Sequence, residues 1–138
     1  MKETVRIEIT GRQRLDNESD ETKVEAVGHY EKKKEVHRIE YDENAEDGAV
    51  IHNTLRISPH GVKIEKRGAL ETDLFLVEGK TKEVAYKTPY GILSMETCCE
   101  SVRIKEAEEE LAVKVKYRLL AGGALVSDCE TDIRIKQA

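Results

Sequence analysis

Apolar and polar residues alternate with a period of two at both ends of this chain and through its interior. Val5, Ile7 and Ile9 interleave with Arg6, Glu8 and Thr10; Leu111, Val113, Val115, Tyr117 and Leu119 interleave with Ala112, Lys114, Lys116 and Arg118; Cys129, Thr131, Ile133 and Ile135 interleave with Glu130, Asp132, Arg134 and Lys136. Successive side chains of a strand point to opposite faces, so each segment reads as a strand with one buried and one solvated face. A chain of strands from end to end, with no long helical stretch, leaves the fewest unpaired edges when it closes on itself. The expected fold is all-β: a single antiparallel up-and-down barrel of about 8–10 strands, with residues 1–138 as one domain.

Turn chemistry divides the alternation into about ten strands. The polar stretch Leu15–Asp20 reads as a linker between strands around 3–12 and 22–31, and the charge run Glu31–Glu35 as a tight hairpin centred on Lys33. Asp42–Gly48 reads as a loop. Ser58-Pro59-His60-Gly61 joins strands near 50–57 and 62–66, because proline presets φ for a turn and glycine accepts a positive φ. Glu78-Gly79-Lys80, Thr88-Pro89-Tyr90-Gly91 and Ala121-Gly122-Gly123-Ala124 are further turns. Glu106–Glu110 reads as a hairpin loop; a helix over Lys105–Leu111 is the rival, but so short a segment does not hold a helix without packing.

Charge and cysteine usage narrow the function classes. A net charge of −5 offers no attractive field to a polyanion, and Lys32-Lys33-Lys34 is flanked by Glu31 and Glu35, so no nucleic-acid partner is expected. No apolar run approaches a membrane helix, so no membrane association is expected. Three cysteines, with Cys98 and Cys99 adjacent, make a poor disulfide framework and point to reduced thiols and a cytoplasmic location. By parity Cys99 looks inward with Leu93, Met95 and Thr97, as an inert buried thiol.

Several residues together look like a known family: Arg67-Gly68, Leu74 and Phe75, Gly79, Tyr86, the tetrapeptide Thr88-Pro89-Tyr90-Gly91, then Thr97, Tyr117, Leu119 and Gly123. From about Tyr41 onward the chain resembles the YwiB-like family of small bacterial proteins. The resemblance implies a calycin- or lipocalin-like β-barrel and no particular activity. The chain contains no tryptophan, so the Gly-x-Trp signature of secreted lipocalins is missing.

No spacing of nucleophiles, metal ligands or phosphate-binding glycines rises above chance. Neither a catalytic residue nor a cofactor is expected. His29 and His37 lie symmetrically about Lys33, with Glu31 and Glu35 nearby, but a one-residue slip would send either imidazole to the opposite face and the ligand set is incomplete, so no metal is expected. The candidate ligand-binding residues are Arg67, Tyr86, Thr88, Tyr90 and Tyr117, polar groups that a small barrel can point inward or hold at its mouth. The corresponding structural reading gives Arg67 a carboxylate partner at a strand end and makes the tyrosines amphipathic caps.

Three functions fit. The first is a binding module for a small apolar or amphiphilic ligand or for a protein partner, as monomer or homodimer. The second is an enzyme with its site at the barrel mouth, where Arg67 holds an anion and Tyr90 or Tyr117 acts as an acid. The third is a structural protein with a filled core. The missing triad and phosphate loop weigh against the second, and the scarcity of bulky fillers, Phe75 and five tyrosines, favours the first.

Overall fold

The computed structural model describes Met1, residues 3–44 and residues 47–138. They form ten strands: β1 (Thr4–Leu15), β2 (Glu18–Lys33), β3 (Val36–Asn44), β4 (Val50–Ser58), β5 (Gly61–Gly68), β6 (Thr72–Val77), β7 (Thr81–Thr88), β8 (Gly91–Glu106), β9 (Glu110–Ala121) and β10 (Ala124–Gln137). All belong to one antiparallel sheet in the order β6-β5-β4-β3-β2-β1-β10-β9-β8-β7. Sequence neighbours pair except at β6 and β7, and the first and last strands pair with each other from Val5 opposite Gln137 to Arg14 opposite Asp128. The circle is completed loosely between β6 and β7 by an isolated bridge from Glu71, just before β6, to Lys87, with Glu71 N–H donating to the Lys87 carbonyl at 3.0 Å and Lys87 N–H to the Glu71 carbonyl at 2.8 Å. The result is the expected up-and-down barrel, nearly closed.

The turns at 58–61, 78–80, 88–91, 106–110 and 121–124 fall where the sequence indicated. Two others differ, and both differences come from residues that accept a left-handed φ. Asp16 has φ 53°, a conformation that Asp tolerates, so β1 and β2 are joined by Asp16-Asn17 alone and the expected linker 15–20 is a hairpin tip. Lys34 has φ 58°, so the next hairpin turns at Lys34-Glu35 with Lys33 opposite Val36. That register sets His29 against Glu40 and His37 against Lys32, and the two histidines lie on opposite faces. β3 continues to Asn44, and the expected Asp42–Gly48 loop includes positions 45 and 46, which lie outside the described residues. Lys105 and Glu106 are in β8, and Ala107 N–H donates to the Glu110 carbonyl at 2.8 Å, closing a turn where a helix was the rival.

Parity decides what fills the barrel. Toward the end that holds the chain termini, here called the lower end, the inward side chains are Val5, Ile7, Ile39, Leu55, Ile57, Val62, Leu76, Leu111, Val113, Ile133 and Ile135, all buried. This is a dry aliphatic core, non-directional in its driving force and dense enough to fix the register of every strand around it. Extra residues in β8, between Cys99 and Ser101, and in β10, between Leu125 and Ser127, shift the register there. Each bulge reverses the inward parity of its strand, which lets Thr97 and Cys99 above and Val102 and Ile104 below face the same interior. Cys99 is buried as parity indicated, and Cys98 is only half-buried.

The wall is uneven in height. β1, β2, β8, β9 and β10 have 12 to 16 residues, whereas β3 to β7 have 6 to 9. The upper parts of β1 and β2 therefore stand above the short strands with both faces largely exposed.

Candidate functional site

Above the aliphatic core the inward positions turn polar. On the short wall the pairing sets Tyr41 opposite Asn53 and Asn53 opposite Lys66, with Glu43 two residues above Tyr41 on the same face. Lys66 Nζ donates to Glu43 Oε1 at 2.6 Å and to Asn53 Oδ1 at 2.8 Å, and Asn53 Nδ2 donates to Glu43 Oε1 at 3.0 Å and to the Ile51 carbonyl at 3.2 Å. Burial opposes the charge on Glu43, but the hydrogen bond and charge of Lys66 and the amide of Asn53 outweigh it and hold the carboxyl below its ordinary value. Burial pushes the Tyr41 hydroxyl well up, and Glu43 adds to the effect, so the phenol stays protonated.

On the tall wall Tyr117 stands opposite Cys129, with Thr131 and Ser127 on the same face. Burial raises the hydroxyls of both Tyr86 and Tyr117, and the two are close enough to act on each other and on Cys129. Ser127 Oγ lies 3.2 Å from Cys129 Sγ. The upper lumen thus has a charged, hydrogen-bonded wall built from three short strands and an aromatic hydroxyl wall built from β7, β9 and β10.

Of the five candidate residues, Tyr86 and Tyr117 are brought together. Thr88 belongs to the turn: its Oγ1 donates to the Gly91 carbonyl at 2.9 Å and accepts from Tyr90 N–H at 3.2 Å. Tyr90, at the tip of that turn, is 99% exposed. Arg67 lies at the barrel exterior, donating to the carbonyls of Lys66 at 2.8 Å and Thr72 at 3.2 Å and pairing with Asp73 Oδ1 at 2.9 Å. Arg67 and Tyr90 therefore do not converge with Tyr117, because inward parity on β5 falls to Lys66 and not to its neighbour.

The lower mouth holds a second array. His37 is only 4% exposed, and its Nδ1 lies 2.7 Å from the Tyr30 hydroxyl. With the Tyr30 hydroxyl donating to Nδ1, the neutral ring carries its proton on Nε2, the nitrogen that faces Glu106. Glu106 Oε1 is 3.7 Å from Nε2 and 3.0 Å from Lys32 Nζ. A cleft of about 670 Å³ opens here, with Val102, Ile104 and Pro59 supplying the apolar part of its lining. Among the described residues no group of three or more His, Cys, Asp or Glu side chains is placed to hold a metal ion.

Burial lowers the His37 pKa; Glu106 opposes this and Lys32 adds to it. Because the folded value lies below the ordinary 6.5, the unfolded chain binds more protons as pH falls through that value, and stability is full above it and lost below it. Urea unfolding at pH 7 and pH 5 should show a loss at the lower pH that is reduced in His37→Gln; parallel curves for the two proteins would assign the loss to other groups.

Neither polar array was visible as a motif, since the upper one depends on the registers of three strands and the lower one joins β2 and β3 to the far end of β8. A signal was present in the parity, where His37, Asn53 and Lys66 align with Ile39, Leu55 and Ile64.

The comparisons agree with this architecture. No curated protein matches the chain. The crystal structure of the YwiB protein from Bacillus subtilis is similar over 98% of this chain and 92% of that one, with a TM-score of 0.87 at 18% identity, which is a likeness of fold. A family model described as a domain of unknown function, DUF1934, matches residues 7–133. With the model spanning nearly the whole barrel, the chain belongs to the DUF1934 family and is a YwiB-like protein.

Proposed function

We propose that this barrel is a small binding module that takes an amphiphilic molecule into the upper half of its lumen. The observation that carries the reading is the Glu43–Asn53–Lys66 cluster in the wall of a barrel whose lower half is aliphatic. Partly buried ion pairs are weak contributors to stability, and an apolar filling of equal volume serves a structural core as well or better. Polar groups with fixed orientation on one wall and half-buried aromatic rings on the other suit a ligand with a polar head and an apolar body. The head meets Lys66 and Glu43, and the body lies along Tyr86 and Tyr117. Three free thiols support a cytoplasmic place of action.

Native mass spectrometry of the protein purified from a bacterial host, followed by mild denaturation, tests this. A stoichiometric small molecule is expected, reduced or lost in Tyr117→Ala and in Lys66→Met. A clean apo mass, together with no thermal stabilisation by a panel of fatty acids and other amphiphiles, overturns the reading.

A protein partner is the second reading, favoured by the apolar tip of the β7–β8 hairpin. Tyr90, Ile92 and Leu93 are exposed there, and β9 pairs with β8 only from Glu96 onward, so residues 91–95 have one bare edge. Such an edge accepts an added strand. Under this reading Tyr90→Ser with Ile92→Thr abolishes association with a captured partner and leaves lumen binding intact.

A further inference from the structure

We infer that the lower mouth is a second, separate ligand site, built for a small organic carboxylate and held closed by the chain's own Glu106. Two donors aim at one carboxylate oxygen there. Lys32 Nζ reaches Glu106 Oε1 at 3.0 Å, while His37 Nε2 lies 3.7 Å from it, outside hydrogen-bond distance. His37 is thus a buried side chain whose orientation is fixed by Tyr30 on one side and whose other nitrogen opens to the cleft, with no protein acceptor within hydrogen-bond distance. A donor fixed in this way suits an acceptor brought from outside better than the acceptor already present.

Glu106 is well suited to act as a displaceable occupant. It is the last residue of β8, its side chain is 48% exposed, and the turn of residues 107–109 follows it. Its carboxylate can move to solvent without disturbing the core. The local charge then favours an anion: Lys32 and Arg103 line the cleft with Glu35, so two cations face one carboxylate once Glu106 has swung away. Arg103 now pairs with Glu78 at 3.0 Å on the outer surface, where such pairs are weak and readily exchanged. The apolar lining of Val102, Ile104 and Pro59 provides contact for the ligand's body, which selects a carboxylate carrying a short apolar or aromatic group over an inorganic anion.

An internal competitor reduces apparent affinity by the fraction of molecules in which it has left the site, so removing it tightens binding. The probe is phenylacetate, with phenylethanol as the uncharged control, titrated calorimetrically and by side-chain NMR of His37. Glu106→Gln is expected to bind phenylacetate about tenfold more tightly than the wild type, as when the closed form is about nine-tenths populated. Lys32→Met is expected to lose that binding, and the His37 ring signals are expected to shift on titration. Tyr117→Ala, in the upper lumen, leaves all of this unchanged, which separates this site from the one proposed above. Equal or weaker binding by Glu106→Gln, equal binding of phenylethanol, or an unmoved His37 signal overturns the inference. Glu106 is exposed at a strand end, so its variant folds, which circular dichroism verifies.

Discussion

Gly28→Val is expected to destabilise the barrel by about 3 kcal/mol, lowering the melting temperature by roughly 10 °C for a chain of this size. Gly28 lies on β2, opposite Val5 on β1, and faces inward with Ala26 and Tyr30. A Cβ at this position would collide with the Glu40 carbonyl oxygen and come within 2.7 Å of Ile7 Cδ1 and 3.1 Å of Tyr41 Cβ. The first contact is backbone, so relief requires β2 and β3 to separate, not a change of rotamer. β2 and β3 pair only from His29 opposite Glu40 toward the turn, and Gly28 marks the point where this pairing stops. Gly11→Ala is the control on the neighbouring strand: its Cβ would meet Thr22 Oγ1 at 3.0 Å, a hydroxyl that can rotate away, and the change is expected to stay within about 0.5 kcal/mol. Thermal melts of the two variants check the contrast. Equal small effects would mean that β3 yields easily at this position.

The second large effect is expected at the polar cluster. Lys66→Met leaves Glu43 without its cation in the barrel wall and should cost about 2 kcal/mol, below the 3–5 kcal/mol of a fully buried pair because both side chains keep some contact with solvent. The triple variant Glu43→Leu, Asn53→Leu, Lys66→Met should return to within about 1 kcal/mol of the wild type, since it removes both charges together with the buried amide that bonds to them. The double variant Glu43→Leu, Lys66→Met recovers less, because Asn53 Oδ1 is left without a donor. Because Glu43 titrates below its ordinary 4.5 in the folded protein, its contribution is present above that value and lost as pH falls through the folded one. The wild type should therefore lose stability between pH 5 and pH 3 more steeply than the double variant. Denaturant titrations of the wild type and these variants measure both quantities. A single variant as stable as the wild type would show that the pair is fully screened by water.

The strands and most turns of this barrel were legible because their signals are local. Alternation of side chains needs only one strand to be seen, and Pro59 with Gly61 or Gly122 with Gly123 mark a turn unaided. The hairpin at Asp16 was hidden because its left-handed residue is not glycine, and the five polar residues after Leu15 look the same in a linker as at a ribbon tip. Register is a property of two strands, and the shift of the next hairpin from Lys33 to Lys34-Glu35 moved His37 away from His29 and toward Tyr30. The candidate sites suffered most from this dependence. Tyr86 and Tyr117 meet through the pairings of β7 with β8 and β8 with β9, and Glu43, Asn53 and Lys66 meet only once the two registers of β3 with β4 and β4 with β5 are set. Arg67 drew attention by its charge, yet the residue before it carries the inward position.

The pairing of β1 with β10 has a consequence for synthesis. At roughly 5–20 residues per second, about 110 residues separate the completion of β1 from the emergence of β10, a delay on the order of ten seconds. Throughout it the outer edge of β1 offers bare amides and carbonyls beside the apolar Val5, Ile7 and Ile9, with β2 its sole companion. A nascent chain in that condition is a template for the strands of other chains, and the charged residues that alternate along β1, Arg6, Glu8, Arg12 and Arg14, are what discourages such pairing until the last strand arrives.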